Sequence, residues 1–113
     1  MRWLISCVLL LGACSKGAEA DLAAIGEARS LTAEWALVND QAAKGRLTST
    51  YAHTMRKELR EQLQSALSGL SQPSSRYGAE IKAVLNLPDD ASSRVLRVHV
   101  SALQQMEDSI ESA

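Results

Sequence analysis

The side chains of this 113-residue chain that could do chemistry are two histidines, two cysteines, many serines and two short clusters of basic residues. His53 and His99 each lack a second histidine, cysteine or carboxylate at metal-ligand spacing on their own face, so the reading is of helix residues and no metal. None of the serines lies in a Gly-x-Ser-x-Gly turn, and the six glycines are scattered as stops and turns instead of forming a phosphate loop. These residues predict a protein that is not an enzyme and carries no cofactor. Arg56, Lys57 and Arg60 cluster near the start of one helical segment, and Arg94 and Arg97 near the start of another. They read either as solvated faces balanced by Glu58 and Glu61 or, if the two segments pack in one bundle, as a single patch. Such a patch would meet anionic headgroups, lipopolysaccharide phosphate or an acidic partner.

The cysteines carry the most specific signal. Met1-Arg2-Trp3 leads into an apolar run that ends in Gly12 and Ala13, just before Cys14. From Trp3 to Ala13 the run is 11 residues, whereas a helix needs roughly 20 to cross the hydrocarbon core of a bilayer. A basic start, a short apolar run and small residues at its end have the form of a secretory signal. The tetrad Leu11-Gly12-Ala13-Cys14 resembles the lipobox of bacterial lipoproteins, with glycine a less usual occupant of its position.

That resemblance covers residues 1–14. It implies diacylglyceryl transfer to the Cys14 sulfur, cleavage between Ala13 and Cys14, and acylation of the new amino group. Each buried CH₂ contributes roughly 0.8 kcal/mol, so two or three chains hold far more firmly than one. Because Ser15 and not aspartate follows the cysteine, the sorting tendency of such proteins favours the outer membrane, facing the periplasm. With Cys7 in the discarded segment and Cys14 lipidated, no disulfide can brace the mature chain.

Three segments follow: signal peptide 1–13, lipidated cysteine and tether 14–20, and a helical domain 21–113. Arg2 is the one basic residue in the signal, so 11 basic and 13 acidic residues remain. That balance supplies no basic field for nucleic acid. The mature aromatics are Trp35, Tyr51 and Tyr77, in a background of Ala, Leu, Ser, Glu, Gln and Arg that favours helix over strand. The small polar run Ser15–Ala20 reads as a tether of at most roughly 20 Å when extended.

From Asp21 to Lys44 there is no proline, and Ala24, Ala28, Leu31, Trp35, Val38 and Ala42 recur in steps of 4, 3, 4, 3 and 4. That spacing is the stripe of an amphipathic helix with a nearly heptad seam. Gly45 is placed to end it and Thr48 or Thr50 to cap the next. The second helix, Thr48 to Ser68, has an apolar face of Tyr51 or Ala52, Met55, Leu59, Leu63, Ala66 and Leu70, and Gly69 stops it. A short third helix with Pro73 in its first turn runs to about Leu87, and Gly78 weakens its start. A fourth, Asp89 to Glu111, directs Val95, Leu96, Val98, Leu103, Met106 and Ile110 to the core. The expected fold is all-α: a small antiparallel helical bundle of three main helices plus one short helix. Trp35 belongs to its core, and Asn39, Asp40 and Gln41 to the polar end of the first helix.

The leading functional expectation is a membrane-anchored envelope lipoprotein acting as a non-enzymatic protein-interaction module. The alternatives are a structural envelope protein that self-associates through the first helix's seam, and a small-ligand-binding protein.

Overall fold

The computed structural model describes residues 16–112. The signal segment and the lipobox, with Cys7, Ala13 and Cys14, lie outside the described residues. Four helices follow in order: α1 Lys16–Ala43, α2 Ser49–Ser68, α3 Arg76–Leu85 and α4 Ser93–Glu111. No strand occurs among the described residues, so Val95–Val100 is helical despite its β-branched content.

Helix α1 begins before Asp21 and takes in residues 16–20 of the supposed tether. Ala18, Glu19 and Ala20 are good helix formers, and the acidic Glu19 in the first turn complements the positive end of the helix dipole. At 28 residues α1 is about 42 Å long. Its other end closes on Gly45, the one described residue with positive φ, at 71°. Gly45 N–H donates to Ala42 O at 3.0 Å and Arg46 N–H to Gln41 O at 2.9 Å, the paired bonds of a Schellman stop.

Each later helix starts on a hydroxyl. Thr48 Oγ1 accepts from Tyr51 N–H at 3.1 Å, Ser75 Oγ from Gly78 N–H at 3.4 Å, and Ser92 Oγ from Val95 N–H at 3.2 Å. Each satisfies one of the four donors that a helix start leaves open. Thr48 is thus the α2 cap. Pro73 lies before α3, in a turn closed by Ser75 N–H donating to Gln72 O at 2.9 Å. Gly78 is there for space: a Cβ on it would stand 1.8 Å from Pro73 O. Helix α4 starts at Ser93 instead of Asp89 because residues 88–91 form a turn, with Ala91 N–H bonded to Pro88 O at 3.0 Å.

Contacts along the helices fix the topology. Gly69 at the end of α2 approaches Ala24 near the start of α1, and Glu107 late in α4 pairs with Arg29 early in α1. Both α2 and α4 are therefore antiparallel to α1. Both pack on it and make no helix–helix contact with each other, and α3 bridges between them. The result is an up-down-up-down bundle with a short third member.

The core is apolar and tightly closed. Trp35, Ile25, Leu63, Ile81, Val84, Leu96 and Leu103 have no exposed surface. The seam residues Ala24, Ala28, Leu31, Trp35 and Val38 are all buried within the single chain. Thr32 is buried too, its hydroxyl donating to Ala28 O at 2.7 Å.

The Tyr51-or-Ala52 alternative is resolved in favour of Ala52, and two expected core positions, Val95 and Val98, turn outward. Tyr51 is 52% exposed because Ala52, its neighbour one residue on, takes the α2 core position. Val95 and Val98 are 41% and 64% exposed, since the face of α4 that meets α1 and α3 is defined by Leu96, His99, Leu103 and Glu107.

Candidate functional site

The densest polar network joins the C-terminal half of α1 to the α3–α4 loop. Trp35 Nε1–H donates to Asp89 O at 3.1 Å. Asn39, one turn further, donates through Nδ2 to the same oxygen at 2.9 Å and to Ala91 O at 2.7 Å. Asn39 is therefore a buried tie and not part of an exposed polar end. Its remaining acceptor, Oδ1, takes Arg56 Nε–H at 2.8 Å.

Arg60 closes the network from α2. Its guanidinium lies 4.5 Å from the Trp35 ring centroid, donates to Asp89 Oδ1 at 2.8 Å and to Leu85 O at 2.6 Å, and also reaches Leu87 O. One planar fork thus holds both the carbonyls that α3 leaves open at its end and the loop that follows.

The five basic residues singled out in the sequence do different things. Arg60 holds the α3–α4 loop directly and Arg56 braces it through Asn39, whereas Lys57, Arg94 and Arg97 are exposed and form no ion pair among the described residues. No helix contact joins α2 to α4. Arg97 lies within electrostatic reach of Asp40, whose carboxyl is held below its usual range mainly by the hydrogen bond from Lys44 at 3.0 Å.

Of the histidines, His53 is exposed on α2, and His99 ties α4 to α3 through Nδ1, 2.6 Å from Glu80 Oε1. Among the described residues, no three His, Cys, Asp or Glu side chains gather at metal-binding distances, and no helix is long and apolar enough to cross a membrane.

Two surface concavities flank the network. A cleft of about 490 Å³ lies beside Asn39, Asp40, Arg56, Asp90, Ser92 and Ser93. Its one guanidinium faces two carboxylates, of which Asp40 is already paired with Lys44, so no net charge selects an anion or a cation. An apolar groove of about 240 Å³ runs between α1 and α2, lined by Leu37, Val38, Leu47, Tyr51 and Met55 with Glu34 and Gln41 at its edge. Leu37, 55% exposed, lies off the buried stripe of α1, and that offset was its only mark in the sequence. Comparison with family models, curated proteins and solved structures finds no match to this chain.

Proposed function

We propose that this protein is an envelope lipoprotein, held to the membrane through lipid on Cys14, that presents its bundle as a non-enzymatic interaction module. The observation that carries the reading is the distance in sequence between anchor and helix: α1 begins at Lys16, two positions after Cys14. A lipid there would hold one end of the bundle at the bilayer. The α1–α2 turn, the α3–α4 loop and the α4 start would then stand about 40 Å out, the length of α1.

The polar chemistry also favours contact over catalysis. Asn39 and Arg60 are occupied in holding a loop and Arg56 in bracing Asn39, and the exposed apolar side chains lie toward the far end. Self-association through the α1 seam has no surface to use, because that seam is buried inside the bundle. A small-ligand carrier draws less support, because the apolar concavity between α1 and α2 is a shallow groove open to the surface.

The test is fractionation of cells making the full chain. The protein is expected in the membrane pellet, released by detergent and not by high salt or carbonate, with Cys14→Ser moving it to the unprocessed precursor. Release of the wild-type chain by salt alone would refute the anchor.

A further inference from the structure

The large apolar side chains exposed among the described residues form two pairs: Leu37 with Tyr51 on the α1–α2 groove, and Val95 with Val98 on α4. The pairs carry opposite charge. Glu34 edges the groove, and Glu58 follows Met55 by three residues on α2, so it continues the same face. Neither carboxylate forms an ion pair among the described residues. The nearby Arg46 reaches Gln41 at 3.4 Å. On α4, Val98 lies one turn after Arg94 and next to Arg97, both exposed and without an ion pair among the described residues, Arg97 lying within electrostatic reach of Asp40.

We propose that the α4 start of one copy docks in the α1–α2 groove of a second copy, Val95 and Val98 against Leu37 and Tyr51, with Arg94 and Arg97 facing Glu34 and Glu58. This deepens, and rests on, the reading of the bundle as an interaction module by naming its partner. Neither patch is covered within its own chain, since Leu37, Tyr51, Val95 and Val98 are all exposed, and α2 makes no contact with α4. Both lie toward the same end of the bundle: Asn39, two residues after Leu37, bonds to Ala91, just before α4. Copies standing side by side on one membrane therefore present groove and α4 start at the same height. The contact joins different patches on the two copies, so it closes reciprocally in a two-fold dimer or propagates into rings or rows. Confinement to a surface raises the effective concentration for an interface of this small size.

Two differently tagged full-length copies, Leu37→Cys and Val98→Cys, are made together and oxidised with copper phenanthroline in intact envelopes. A disulfide needs the two Cα atoms within about 7 Å, so only a seated α4 reports. The expected result is a mixed-tag disulfide well above either variant alone and above the wild-type background. Glu34→Lys with Glu58→Lys should reduce it about tenfold, and Arg94→Glu with Arg97→Glu on the partner copies should restore it. Strong linkage of Leu37→Cys to itself, or no mixed product in folded protein, would overturn the proposal. Acyl labelling of the same samples reads the anchor separately, so a lost crosslink on a labelled chain rejects the docking alone.

Discussion

Arg60 on α2 lies over Trp35 on α1, its guanidinium carbon 4.5 Å from the indole centroid, and both side chains bond to the same residue, Asp89. One side of the indole is thus covered by a cation, and its N–H is satisfied by a loop carbonyl. An aromatic core residue has become the meeting point of two helices and a connection. The end of the bundle where α4 starts depends on this junction, because the loop it holds leads directly into α4.

Replacing Arg60 tests the junction. Arg60→Ala removes the cation from the indole face and leaves the carbonyls of Leu85 and Leu87 without their donors. A loss of about 2–3 kcal/mol is expected in urea unfolding of the purified chain. Arg60→Lys should recover less than half of it, since an ammonium cannot serve both carbonyls and Asp89 in one plane.

Asn39 and Arg60 hold the same loop from different helices, so their effects should not add. Asn39→Ala deprives two carbonyls and Arg56 of a partner and should cost about 2–3 kcal/mol. The double variant is expected to lose less than the sum, because once the loop is free the second tie has nothing to hold. Strict additivity in the four-member cycle would separate the two ties.

The glycines should differ sharply. Gly78→Ala forces a methyl to within 1.8 Å of Pro73 O unless the 73–75 turn moves, for a cost of about 2 kcal/mol or more. Gly45→Ala, in open space but at φ 71°, should cost only about 1 kcal/mol. Thermal melts of the two variants would rank them.

Asp40 gives a pH signature. Lys44 lowers its pKa in the folded state, so its contribution to stability is present above the unfolded carboxylate value, about 3.9, and fades as pH falls through the lower folded value. Asp40→Asn should therefore narrow the difference from wild type as acid is added, and leave it constant above pH 5–6. A difference that widens in acid would reverse the assigned sign.

The bundle was legible in the sequence where burial follows a regular period. The α1 stripe from Ala24 to Val38 is buried as its spacing implies. Asn39 was not legible as a core tie, because its partners lie 50 and 52 residues away in a loop. The α4 start was misjudged for a related reason. Asp89 O is occupied by Trp35 and Asn39 and is not available to begin a helix ladder. Gly78 reads in sequence as a weak helix residue, and only the fold sets the Pro73 carbonyl beside it. Val95 and Val98 fit an apolar pattern, yet only the placement of α1 and α3 decides which side of α4 is inside. The basic clusters were visible as composition, but their division into loop ties and free charges depends on tertiary contacts.

The most direct measurement for the anchored-module account is the mass of the N-terminal peptide of the protein purified from envelopes in detergent. The account predicts a chain beginning at Cys14, heavier than its sequence by a diacylglyceryl group and an amide-linked acyl chain. A peptide that retains residues 1–13, or that begins elsewhere without lipid, would contradict it.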